Sequence, residues 1–207
     1  MSGEHDEALV MERHNESIRL SERYQRTRDR ADLETAIQAN SEALAHLGQD
    51  SKEGYKVLKQ RGFLLVKRFE VAGAVEDLER AVAAYEASRS RLPDETNAHL
   101  RGLNDIANAY GELHEVTGDP SQNECAIRLM EQVVDRVGKH HPLRALYLGN
   151  LGMRILVRHD RSGAMPDLAE SVRVLEEADA ALLPGSPHAY VVWNNLAVVH
   201  RQLQPER

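Results

Sequence analysis

The chain repeats itself every 45 residues, and no other feature narrows its fold as far. The strings ADLETAI (31–37), EDLERAV (76–82), SQNECAI (121–127) and PDLAESV (166–172) begin 45 residues apart without a gap. In that register small residues recur at Ala36, Ala81, Ala126 and Ser171, and β-branched apolar ones at Ile37, Val82, Ile127 and Val172. Upstream, Leu58, Leu103, Leu148 and Trp193 align, as do the small residues Gly62, Ala107, Gly152 and Ala197. Self-similarity at such a period marks stacked supersecondary units, each too small to bury its apolar faces alone.

Each unit is patterned as a helical hairpin. Leu103, Ile106, Ala107 and Tyr110 stand at i, i+3, i+4 and i+7, as do Leu78, Ala81, Val82 and Tyr85, the stripe of a 3.6-residue helix. Gly73, Gly118 and Gly163 sit where a left-handed residue would end the first helix of a unit. Asp119-Pro120 then reads as an N-cap followed by proline at the first helical position. Leu92-Pro93-Asp94, Val137-Gly138 and Leu183-Pro184-Gly185 separate the units. The pattern predicts helices over 6–26, 30–46, 51–71, 75–91, 95–116, 120–137, 142–160, 166–182 and 187–203, in the order A-B four times and then one A. Small residues on both helices of a hairpin let their axes approach to about 8–10 Å. The expected fold is all-α: one superhelical solenoid over 1–207, with repeats at about 6–50, 51–94, 95–139 and 140–185 and a terminal helix at 187–203.

At these residues the chain resembles the tetratricopeptide repeat (TPR) family. The family's large–small–aromatic run on helix A is visible as Leu103, Ala107 and Tyr110, its run on helix B as Ala81, Tyr85 and Ser88, and its closing proline as Pro93. The unit is longer than the usual ~34 residues. In detail it resembles the long-repeat arrays that accompany CHAT-type (caspase-like) peptidase domains, through Arg23-Tyr24-Gln25-Arg26-Thr27, Asp32 to Ile37, Val116-Thr117-Gly118-Asp119, His141-Pro142 with Arg144-Ala145, and Leu148-Gly149-Asn150-Leu151-Gly152. The peptidase domain itself is not within these residues. The resemblance implies a non-enzymatic scaffold that holds a peptide or protein partner in a groove lined by A helices. The alternatives are a sensor for a CHAT-type peptidase or other effector encoded elsewhere and, less favoured, an enzyme with its active site in the groove.

Positions around the aligned small residue should face that groove: Lys59, Asn104, Gly149 and Asn194 three residues before it, and Phe63, Asn108, Met153 and Val198 one after it. Arg101 and Asn150 complete the expected binding face. The carboxylate clamp of chaperone-binding relatives is not reproduced, because Phe63 and Asp105 stand where asparagines are needed.

Composition limits the chemistry. One cysteine among 207 residues excludes an internal disulfide framework and a multi-cysteine zinc site, and a net charge of −7 disfavours nucleic acid and anionic membranes. No signal peptide or spanning stretch is present, so a cytoplasmic setting with no cofactor and no metal is expected. Of the ten histidines, His114, His159 and His200 align with aromatic or aliphatic residues and should pack. His140-His141 is a loop pair, and His5 lies between Glu4 and Asp6 near the start of the chain. Cys125 aligns with Thr35, Arg80 and Glu170 and reads as a surface thiol. Arg19, Arg23, Arg26 and Arg30 share one helix face and read as a solvated face balanced by neighbouring acids.

The ends differ. The first helix carries Arg13 where its relatives have Leu or Trp, as expected of a polar cap. The last carries two apolar stripes, Val192, Leu196, Val199 and Leu203, and beside it Trp193, Ala197 and His200. A terminal helix needs only one, so this end should be covered by a partner, such as a second copy, or continue into further sequence.

Overall fold

The structure, a computed structural model, describes residues 2–48, 51, 53–93 and 96–203, with side chains from residue 7 onward. The side chain of His5 and the whole of Asp94 lie outside the described residues. Among the described residues the chain forms nine α-helices and no strand. They are α1 (Ser2–Thr27), α2 (Arg30–Ala45), α3 (Gly54–Ala72), α4 (Val75–Arg89), α5 (Asn97–Thr117), α6 (Pro120–Arg136), α7 (Arg144–Ser162), α8 (Met165–Ala180) and α9 (Ala189–Gln202). Each predicted helix is found, with ends within a few residues of the predicted ones.

The helices gather into two compact units, Met1–Val116 and Thr117–Arg207. In the first, α1 packs on α2, α2 on α3 and α3 on α4. Tyr24, Leu33, Ala36, Ile37 and Leu64 form one core cluster, and Val10, Ala43 and Val57 another. In the second, α6 packs on α7, α7 on α8, and α9 on both α7 and α8, around Leu156, Leu168, Leu175 and Val199.

The small residues act as predicted. Ala36, Ala81, Ala107, Ala126 and Ser171 are fully buried. A Cβ on Gly62 would stand 2.6 Å from the Tyr85 ring, and one on Gly152 2.6 Å from Leu175. Only a hydrogen fits between helices A and B at those points. Ser171 adds a bond across the same contact, its hydroxyl donating to the Gly152 carbonyl at 2.8 Å.

The A-to-B turns follow one plan. Gly73, Gly118 and Gly163 adopt φ of 71°, 71° and 68°, the left-handed conformation expected of them. Arg28 holds the equivalent place in the first hairpin with φ 60°. Asp29 and Asp119 cap the following helices, accepting from the Ala31 and Ser121 amides at 2.9 Å, and Pro120 follows as predicted. A second device was not anticipated. Arg23 grips Asp32, Arg68 grips Asp77 and Arg158 bonds Asp167, each an arginine late on helix A reaching an aspartate nine residues later on helix B. Arg23 is therefore a turn staple and not only part of a solvated basic face. In the third hairpin the same positions hold Leu113 and Gln122.

Two expectations for helix α9 require correction. His200 is exposed rather than packed, and Ala197, aligned with buried Ala107, is exposed as well. The reason is the absence, among the described residues, of a helix B to cover that stripe. His114 and His159 are half-buried as expected, with His159 Nδ1 2.8 Å from the Ala164 carbonyl. His141 stacks on Tyr147, and its Nδ1 accepts the Leu143 amide. Arg161 donates to the Gly118 carbonyl at 2.9 Å, tying α7 to the segment before α6. No helix among the described residues is long and apolar enough to cross a membrane.

Candidate functional site

The A helices of the first unit surround a hollow of about 470 Å³, within the range that holds a small ligand or a few residues of peptide. Helix α1 contributes His14, Ile18, Ser21, Glu22 and Gln25, spaced i, i+4, i+7, i+8 and i+11 so that they share one face. Tyr55, Lys56, Lys59, Gln60 and Phe63 of α3, at i, i+1, i+4, i+5 and i+8, share a face that forms the opposite wall. Asp105 enters from α5. Tyr85 enters from α4, a B helix, because Gly62 leaves room for its ring to pass between helices.

The polar groups converge on Asp105. The Lys59 ammonium lies 3.0 Å from Asp105 Oδ2, with the carboxylate side chain three-quarters buried and the lysine nearly half-exposed. Burial pushes the Asp105 carboxyl above the usual carboxylate range; Lys59, a hydrogen bond from Asn104 and the charge of Arg101 pull the other way. The Tyr85 phenol is pushed upward by burial and by the neighbouring Asp105 charge. His14 is held below the ordinary imidazole range by burial and by Lys56, with Glu53 pulling the other way. Its Nδ1 is buried without a hydrogen-bond partner among the described residues. Gln60 donates to the Ser21 hydroxyl at 3.0 Å, and Ser21 to the Ile18 carbonyl at 2.8 Å, joining the two walls. The arrangement offers an apolar cleft with aromatic sides and one ion pair within reach of solvent, suited to a side chain with a polar end.

The predicted binding residues divide by unit. Lys59 and Phe63 line the hollow, while Asn104 and Arg101 act on its carboxylate. Phe63 also packs against the Tyr24 cluster, and Lys67 lies 5.6 Å over its ring. Asn108 is exposed on α5. In the second unit Asn150 is half-buried, Met153 packs against the Leu175 cluster and Asn194 is exposed. Asp105, Tyr85, Tyr55 and His14 were not anticipated as site residues. Two signals could have found Asp105: it directly follows a position expected to face the groove, and it stands where chaperone-binding relatives carry a clamp asparagine. Cys125 is half-exposed, with Arg128 donating to its sulfur at 3.1 Å. Among the described residues no group of three or more His, Cys, Asp or Glu side chains is placed to hold a metal ion.

Comparison with solved structures gives the class. The nearly identical TPR-like repeats of a kinesin light chain-like protein from Podosopora anserina superpose with a TM-score of 0.61 at 21% identity, covering 93% of this chain and 85% of that one. A variant of that protein with a single substitution gives a TM-score of 0.64 at 20% identity over the same shares. The chain thus has an all-α, TPR-like helical-repeat fold of the solenoid class. No protein family and no curated protein matches it.

Proposed function

We propose that this chain is a non-enzymatic interaction scaffold that holds a peptide segment of a partner protein against its A helices, with the hollow around Asp105 receiving one side chain. TPR-like folds generally serve as protein-interaction scaffolds, presenting an extended surface built from repeated helices. The observation that carries the reading is the convergence of Lys59, Asn104 and Arg101 on a carboxylate inside an aromatic-walled hollow. Burying a carboxylate costs stability unless it is well paired, and here burial outweighs the pull of a half-exposed lysine, Asn104 and Arg101. A group kept at such a cost on an otherwise conventional packing face is accounted for by recognition.

The reading places the protein in the cytoplasm, with neither nucleic acid nor a membrane as its ligand. The last helix is a second contact surface, separate from the hollow. A sensor for a CHAT-type peptidase encoded elsewhere is the second reading, resting on the motifs around His141 and Leu148. Site-specific photo-crosslinking from position 63 in the native host tests the first reading. A defined partner should crosslink there, and Asp105→Asn or Lys59→Ala should reduce its capture about tenfold, the loss of one buried charge contact. Partner contacts confined to the B helices, with both variants capturing normally, would overturn it. A peptidase subunit captured at that position would select the second reading.

A further inference from the structure

Resting on the groove reading above, we infer that the side chain received in the hollow ends in a carboxamide, that of a glutamine in the partner's peptide, held between Lys59, Asp105 and His14. Two acceptors are buried in the wall of this hollow without a hydrogen bond among the described residues, Asp105 Oδ2 and His14 Nδ1. His14 is only 4% exposed, and its Nδ1 accepts when the imidazole proton sits on Nε2. The Lys59 ammonium stands 3.0 Å from Asp105 Oδ2, close enough to balance its charge but without the alignment of a hydrogen bond.

The repeat register explains why these groups meet. His14, Lys59 and Asn104 stand 45 residues apart, one position on three successive A helices, and Asp105 directly follows Asn104. The two unserved acceptors therefore come from different helices, α1 and α5, with the donor of α3 in register between them. Leaving buried acceptors unserved costs stability, and a ligand that serves both recovers that cost on binding.

Charge and hydrogen-bond complementarity select the occupant. The ion pair is neutral as it stands. A cationic side chain would compete with Lys59 for the carboxylate, and an anionic one with Asp105 for the ammonium; either leaves a charge unpaired in a largely buried site. Lys56, the other cation of the wall, is already paired with Glu53, and Glu22 is exposed more than two turns of α1 beyond His14. A neutral end that both donates and accepts leaves the pair intact. A hydroxyl brings one donor for two acceptors. A carboxamide brings two, and its oxygen accepts from Lys59, so that every polar atom finds a partner. The contacts to Asp105 and Lys59 are then charge-assisted, the stronger kind. The stem of the side chain lies against the Tyr55, Phe63 and Tyr85 rings, for which glutamine offers two methylenes and asparagine one.

Selection of a random peptide library, displayed on phage, against the full chain tests this assignment. The selected peptides should share a glutamine. In fluorescence anisotropy, changing that glutamine to glutamate, lysine or methionine should weaken binding about tenfold. Each charge of the site should reverse the choice when removed. Asp105→Asn leaves Lys59 unopposed and should bind the glutamate peptide more tightly than the glutamine one, and Lys59→Ala should likewise prefer the lysine peptide. His14→Phe keeps a ring and removes the acceptor; it should weaken the glutamine peptide severalfold and leave the methionine peptide unchanged. A different shared anchor, in peptides whose binding still depends on Asp105 and Lys59, would overturn the carboxamide and leave the groove reading standing. Peptides that bind Asp105→Asn and Lys59→Ala as tightly as the parent, or the selection of no peptide at all, would overturn both.

Discussion

The turns that close the second and third hairpins share a register and are held by different means. In the second, Arg68 reaches across to Asp77, while Ala74 at the start of α4 caps nothing. In the third, Leu113 and Gln122 replace the ion pair, and Asp119 with Pro120 fixes the start of α6 locally. The first hairpin uses both devices, Arg23 on Asp32 and the Asp29 cap, but closes its turn on Arg28 where the others have glycine. One turn is held by a bond between helices and the other by a bond within a helix end.

Removing half of the staple should have the largest effect. The Asp77 side chain is only 5% exposed, and Arg68→Met leaves it without its partner, for an expected loss of about 2–3 kcal/mol in urea denaturation. Grafting the third hairpin's solution, Arg68→Leu with Asp77→Gln, should recover most of that loss. A double variant as unstable as the single one would show that the two turns are not interchangeable. Next in size, Gly73→Ala forces a left-handed alanine and should cost about 1–2 kcal/mol, whereas Arg28→Gly should stabilise by about 0.5–1 kcal/mol. A loss on Arg28→Gly would mean that its contact over the Tyr24 ring, at 5.8 Å, outweighs the backbone strain. Smaller again, Asp119→Ala should cost about 1 kcal/mol and Ala74→Asp should gain somewhat less, both read from thermal unfolding.

The smallest effect should be a gain that depends on pH. Asp105 has none of the bidentate pairing that holds Asp77, and burial raises its pKa. An acid whose folded pKa lies above its unfolded one favours the fold below the unfolded value and loses that contribution as pH rises through the folded value. Asp105→Asn should therefore be more stable than the parent at pH 7, with the advantage gone below about pH 4, near the ordinary carboxylate pKa. A variant less stable at pH 7 would place Asp105 with the staples rather than with the hollow.

The fold was legible because helix ends and close contacts are written in single residues. Gly73, Gly118 and Gly163 mark left-handed turns, and Gly62 and Gly152 mark touching helices, wherever they fall in the register. The staples were legible in principle, since Arg23, Arg68 and Arg158 and their aspartates obey the same 45-residue spacing. A charge judged against its sequence neighbours, however, reads as solvated, and only packing shows Asp32 and Asp77 to be buried. The hollow was half-legible. Lys59 and Phe63 follow from helix A geometry, but Tyr85 arrives from a B helix through the gap at Gly62, and His14 from a helix whose polar character suggested only a cap. Ala197 and His200 show the opposite limit: register predicts which residues could pack, and burial requires something to pack against.

The bond from Gln60 to Ser21 spans 39 residues and that from Arg161 to Gly118 spans 43, each within the length of one repeat. Tertiary bonds of such short reach leave little loop-closure entropy to overcome and let ordering begin at more than one place. Excising residues 51–95, one whole period, would bring Ser21-type and Gln60-type positions of adjoining units back to the same separation. Length in this architecture is a variable that can change by whole repeats without re-solving the fold.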